Sequence, residues 1–405
     1  MNLSLLGDMV LRGLTIAVRA AFTFYLAKVM PLDEFGTYAY IAAASAFLVY
    51  LGGADFYAYA HREYLAARCT LAATVRAQGL LLAASLPLAL LVGSLASAHT
   101  LAPWLVLWLL AIVAGETISA ELVRVLVVCG RPSSANAVLF LKSAAWMLPW
   151  AVSVHAGADV HLAGVCQAWT AGLAVAVAFG CWRLPVTARA VAASQAPAAY
   201  FRKARALLPR LLVGTLALRA LFSLDRTAME QIFGVAMTGI YGFYVAVAAA
   251  YLAMLDAGIL ARLSPRLISA AATASADPAP VLRSMRRWAL GMGLAALAAY
   301  ALLIDTVIAF IDKPVLGDHK LFGYLLLVAY TVSASTTGPA NILYGRSQDG
   351  LVCLIHLAGL LPFAAGVLLA LQLNDPNWIA FGVLGGQLLL CVLKTRAASP
   401  LVPAA

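Results

Sequence analysis

Apolar residues run through this chain in blocks of roughly 17 to 25, each closed by a short cluster of Arg, Asp, Pro or Gly, and an α-helix needs about 20 such residues to cross about 30 Å of hydrocarbon. Laid out by length and flanking charge, the blocks predict twelve transmembrane helices. They fall at about 9–29, 36–58, 77–97, 104–123, 134–154, 162–182, 211–231, 238–261, 288–311, 321–343, 350–373 and 377–393. A membrane β-barrel would show short alternating segments instead. The pattern predicts an all-α integral membrane protein.

Charge then orients these spans. With the N-terminus inside, the even-numbered connections and the C-terminal tail carry nineteen Lys and Arg residues, among them Arg62, Arg131, Arg183, Arg287 and Arg396. The odd-numbered connections carry three, Lys28, Lys313 and Lys320. That asymmetry places both termini in the cytoplasm. It also accounts for most of the formal charge of +10, so no nucleic-acid partner is implied. Asp8, Arg12 and Arg19 interrupt the first block, which reads as a retained span and not as a cleaved signal. The six cysteines contain no C-x-x-C, and the four histidines in or near the outer connections lack ligand spacing, so no metal or other cofactor is expected. There is no G-x-x-x-x-G-K-[ST] loop, which argues against an ATPase.

Arg19-Ala20-Ala21-Phe22-Thr23-Phe24 reappears 200 residues later as Arg219-Ala220-Leu221-Phe222-Ser223-Leu224. In both places a Gly-x-Tyr follows, Gly36-Thr37-Tyr38 and Gly239-Ile240-Tyr241. We read an internal duplication: residues 1–195 and 196–405 as two six-helix lobes of the same orientation, related by a pseudo-two-fold axis along the membrane normal. The polar stretch from about 183 to 210, with Pro185, Pro197, Pro209 and the run Tyr200-Phe201-Arg202-Lys203-Ala204-Arg205, reads as the inter-lobe linker. Its second part is either a short amphipathic helix on the inner leaflet or a solvated loop.

Ionisable residues at membrane depth are costly and mark polar paths. Arg12 and Arg19 are seven apart, as are Arg219 and Arg226, so a continuous helix would show each pair on one face. Arg19, Arg219, Arg226 and Lys142 are candidate contacts for an anionic substrate, because the arginine fork donates two hydrogen bonds at once and keeps its charge. Asp225, Glu116, Asp55 and Asp256 are candidate coupling groups or charge partners. The structural alternatives are pairs: Arg226 with Glu230, Asp225 with Arg219, Glu121 with Arg124, and Glu116 with Lys142. Gly338-Pro339 breaks the regular hydrogen bonding of the tenth span and marks either a hinge or a static kink.

Met30-Pro31-Leu32-Asp33-Glu34-Phe35-Gly36-Thr37-Tyr38 resembles the L-x-P-x-E-F-G-x-Y opening of polysaccharide flippases, and Asp225-Arg226 followed by Gly239-Ile240-Tyr241 resembles their second-half D-R and G-x-Y. These flippases belong to the multidrug/oligosaccharidyl-lipid/polysaccharide (MOP) exporter superfamily. The resemblance implies a MATE-like fold of about twelve helices, two six-helix lobes around a central cavity, in the bacterial inner membrane. It implies no enzymatic activity but the flipping of undecaprenyl-diphosphate-linked oligosaccharides to the periplasmic leaflet, for O-antigen, capsule or exopolysaccharide synthesis. The implied partners are the lipid-linked oligosaccharide, membrane lipids, and a polysaccharide polymerase with its chain-length machinery. Two alternatives remain, a cation-coupled multidrug antiporter and a polytopic O-antigen polymerase or ligase. The second is disfavoured by outer connections that are short and free of arginine. The topology predicts that reporter fusions near residues 100, 157 and 315 read periplasm and those near 70, 195 and 275 read cytoplasm; a consistent inversion overturns it.

Overall fold

The computed structural model describes residues 3–65, 68–194, 198–272 and 277–401, and among them there is no strand. The helices in order are α1 (Leu3–Val29), α2 (Leu32–Gly53), α3 (Tyr57–Leu65), α4 (Leu71–Ser97), α5 (Pro103–Val128), α6 (Pro132–Phe140), α7 (Met147–His155) and α8 (Leu162–Arg183). Then follow α9 (Ala188–Ala193), α10 (Ala198–Ala220), α11 (Leu224–Leu255), α12 (Ala261–Ala272), α13 (Ala279–Ile311), α14 (Lys320–Gly345), α15 (Asp349–Leu373) and α16 (Asn377–Ala398). Two π-helical turns interrupt the spans, Leu141–Ala145 and Asp256–Leu260. Eleven helical stretches among the described residues are long and apolar enough to cross a membrane. The chain is a multi-pass membrane protein.

The seventh expected span, 211–231, is not a continuous helix. α10 ends at Ala220, residues 221–223 form a turn, and α11 starts at Leu224. Arg219 and Arg226 therefore lie on different helices, and the shared face inferred from their seven-residue spacing does not exist. The start of α10 carries Arg202, Lys203, Arg205 and Arg210, so it is not apolar enough to count as a span. Helical structure goes on instead into the next expected span, within the stretch Leu224–Ala271, which is kinked at Gly234 (φ 84°, ψ 176°). The part of the linker from 198 to 210 is also neither a loop nor a separate surface helix, because α10 runs on through Pro209. Pro197 lies outside the described residues.

Two compact units result, Met1–Phe22 with Ile41–Leu216, and Thr23–Tyr40 with Ala217–Ala405. In the first, Tyr200 near the start of α10 is buried against Phe56 and Tyr59 of the α2–α3 corner. The Tyr59 hydroxyl donates to the Tyr200 carbonyl at 2.9 Å. In the second, α15 and α16 meet through glycines. A Cβ on Gly366 would stand 2.6 Å from the Cα of Gly382, and one on Gly386 would stand 2.7 Å from the Gly359 carbonyl oxygen. Such small-residue seams let backbones approach where lipid supplies no hydrophobic drive between helices.

The repeated Gly-x-Tyr has a physical reason within the second unit. Gly36 of α2 and Gly239 of α11 pack backbone to backbone: a Cβ on Gly36 would fall 1.9 Å from the Val235 carbonyl oxygen, and one on Gly239 would fall 2.5 Å from that of Leu32. Phe24 and Phe243 meet edge-to-face beside them at 5.8 Å. The Lys313 ammonium donates to the carbonyls of Ala27 and Met30, which the end of α1 leaves open. Gly36→Ala should therefore overpack an immovable backbone and cost about 1–3 kcal/mol. The thermal midpoint of the purified protein should fall for Gly36→Ala and stay put for Gly13→Ala, whose Cβ meets nothing within 4 Å. Equal midpoints would remove this contact from the fold's support.

Candidate functional site

In the second unit the break at 221–223 gathers the charged residues. Ser223 is the N-cap of α11, which puts Asp225 in its first turn, where the partial positive charge of the helix end favours a carboxylate. Asp225 is 1% exposed, and both of its oxygens are used. Oδ1 accepts the Arg226 backbone N–H at 2.8 Å and the Arg226 Nε–H at 3.2 Å, and Oδ2 accepts the Tyr241 hydroxyl at 3.0 Å. Arg226 also donates through Nη2 to the Phe222 carbonyl, one of those that the broken helix leaves without an internal partner. Tyr241, wholly buried, is held edge-on by Phe322, and Phe222 meets Tyr330 edge-on at 5.1 Å. Arg219 is half-buried in the last turn of α10, within electrostatic reach of Tyr330.

The first unit has its own polar sites. At the π-helical turn, Lys142 extends to Glu116 of α5, Nζ to Oε2 at 2.6 Å. Trp169 of α8 donates to the other Glu116 oxygen at 3.1 Å, and Trp146 donates to the Lys142 carbonyl at 3.0 Å. The two indoles stack at 6.0 Å with 9° between their planes. Trp146 fits there because residue 172 is glycine; a Cβ on it would stand 2.5 Å from the ring. Nearer the end of α5, Glu121 pairs with Arg124 and accepts from Gln78 of α4. Arg124 lies 3.9 Å over the Tyr57 ring. Burial, and then the Arg124 guanidinium, draw the pKa of nearby His61 down to about 4, which keeps that ring neutral beside the cation. Asp55 follows Ala54 in the left-handed region, with φ of 52° and 48°, and accepts from Thr215 of α10 at 2.7 Å. The strain of that turn lifts the Asp55 carboxylate out of the α2 ladder and toward α10.

Of the sequence candidates, the structure brings Asp225 together with Arg226 and Glu116 with Lys142. The Asp225–Arg226 contact is a pair of chain neighbours that spacing arguments did not suggest. Arg19 is exposed on α1, and Asp256 is exposed at the start of the second π-helical turn. Tyr241, Trp146, Trp169, Gln78 and Thr215 were not singled out from the sequence as polar partners. For Tyr241 a signal existed in the repeated Gly-x-Tyr; for the two tryptophans there was none.

Over nearly its full length the chain is similar to solved transporters. The inward-facing conformation of a multidrug resistance MATE family transporter of the MOP superfamily matches with a TM-score of 0.62 at 15% identity, over 97% of this chain and 95% of that one. The outward-facing conformation of such a transporter matches at 0.59 and 12%, over 98% and 95%. A eukaryotic MATE transporter, AtDTX14, matches at 0.57 and 12%, over 96% and 93%. No family model matches the chain, and no curated protein does.

The geometry makes Asp225 and Arg226 mutually dependent. Removing one member of a buried pair should cost about 3–5 kcal/mol. Arg226→Met and Asp225→Asn should each lower the amount of protein in the membrane, and the double variant should recover much of it. Tyr241→Phe should cost about 1.5–3 kcal/mol, as for a hydrogen bond to a charged group. A double variant no better than the worse single one would show that the two side chains act separately. The all-helical architecture is that of the MATE and MOP-superfamily transporters.

Proposed function

We propose that the protein translocates undecaprenyl-diphosphate-linked oligosaccharides across the bacterial inner membrane, both termini in the cytoplasm, in the synthesis of a surface polysaccharide. The observation that carries this reading is the state of two carboxylates at membrane depth, Glu116 and Asp225. Glu116 is in contact with Lys142 and an indole N–H, and Asp225 with Arg226 and a phenol. A cation-coupled drug antiporter needs membrane-depth carboxylates that can take a cation; these two already have one. Arg19 and Arg219 are each proposed as a diphosphate contact, since a guanidinium grips a phosphate with two parallel hydrogen bonds. The fold supports the superfamily, and the arginines favour an anionic cargo within it.

Arg219→Ala should stop surface polysaccharide production while the protein stays at its normal level in the membrane. Arg219→Lys should retain part of the output, because charge survives and the fork does not. Unchanged output from Arg219→Ala overturns the assignment. Resistance to cationic drugs on expression in a sensitive host overturns the substrate class.

A further inference from the structure

We infer that α13 carries a seat for a long polyprenyl phosphate, with the phosphate at Arg283 and Arg287 and the chain laid along the groove that follows them. This rests on the lipid-linked cargo proposed above and assigns where its lipid part binds. α13 has 33 residues and is about 50 Å long, well beyond the roughly 30 Å of hydrocarbon it crosses. At its N-terminal end a cavity of about 460 Å³ is lined by Arg283, Ser284, Arg287 and Trp288. Trp288 is largely exposed, as an aromatic ring at the bilayer interface is.

The same face of the helix then becomes apolar. Ser284, Trp288, Met292, Ala295, Ala299 and Leu303 follow one another at steps of three or four, a single inclined stripe. From Met292 to Val307 this stripe lines a second cavity of about 570 Å³, with Phe24, Tyr251 and Met254 on the opposing side. The alanines leave the space that larger side chains would fill. The two tyrosines in the lining have their hydroxyls committed elsewhere, Tyr251 to the Ala289 carbonyl at 3.2 Å and Tyr300 to that of Lys320 at 2.8 Å. What faces the groove is hydrocarbon and ring carbon.

Length selects the occupant. From Arg287 to Val307 is twenty residues, about 30 Å of helix, the full thickness of the hydrocarbon and about twice the depth of one leaflet. An acyl chain whose phosphate sits at Arg287 fills half of that path, and a polyprenyl chain fills all of it. Two guanidiniums four residues apart on one face suit the phosphate.

The test uses the full-length protein in phosphatidylcholine nanodiscs and undecaprenyl phosphate bearing a photoreactive group on its chain. Label should concentrate on residues 292–307 of α13 and on the facing part of α11. Undecaprenyl phosphate without the photoreactive group should compete, while farnesyl phosphate, undecaprenol and phosphatidylglycerol at the same concentration should not. Arg283→Gln/Arg287→Gln should weaken labelling about tenfold. Ala299→Phe, at an exposed position, should abolish it with the thermal midpoint unchanged. Label spread evenly over the lipid-facing helices, or competition by phosphatidylglycerol equal to that by undecaprenyl phosphate, overturns the inference; so does labelling indifferent to these variants. Transport of a lipid-linked oligosaccharide, measured in parallel, separates the two proposals. Transport without labelling removes the groove alone, and labelling without transport supports the groove and removes the cargo.

Discussion

The second unit depends on how the chain satisfies a broken helix inside the membrane. Opening a helix in hydrocarbon leaves N–H and C=O groups without water or an intrahelical partner, at several kcal/mol for each one left bare. At 221–223 the sequence answers with two adjacent residues of opposite charge. Asp225 takes an N–H of the new helix start, and Arg226 donates to the Phe222 carbonyl in the turn itself. The same two side chains meet each other, so the break is neutral as a whole. Tyr241 supplies the remaining bond to the carboxylate from sixteen residues further along. The short turn is thus held between the two arms of the chain that it joins.

The arithmetic of the repeat points to a second break. Arg19 and Arg219 differ by 200, whereas Gly36 and Gly239 differ by 203. Three residues have been added between Leu224, which still matches Phe24 at an offset of 200, and Gly239. With the later offset, Pro31 corresponds to Gly234. Both are chain breaks: Pro31 separates α1 from α2, and Gly234 has φ 84° and ψ 176° inside α11. A side chain at 234 would be strained in that conformation, whereas glycine is not. Two kinds of residue thus break the chain, each five residues before one of the glycines that pack on each other, Gly36 and Gly239.

Most of the span pattern was legible because hydrocarbon thickness sets a length scale that composition alone reveals. The Glu116–Lys142 partnership was legible too, since two opposite charges at similar depth in neighbouring spans seldom stay apart. The break at 221–223 was not. Leu221 and Phe222 are apolar and Ser223 is small, so hydropathy runs smoothly through the turn and a single helix was the simpler reading. Periodicity then misled, because a seven-residue spacing has meaning only along one continuous helix. The π-helical turns were equally hidden. Each begins next to or at an ionisable residue, Lys142 or Asp256, yet no composition rule distinguishes such a turn from an ordinary one.

The two charged pairs at Glu116 and Asp225 are closed contacts. In the membrane a carboxylate is useful to a transporter when it can exchange its partner, and a carboxylate held by a covalently attached cation exchanges poorly. Lys142 and Arg226 are such attached partners, each within contact distance of its acid and each braced by an aromatic donor to the same carboxylate.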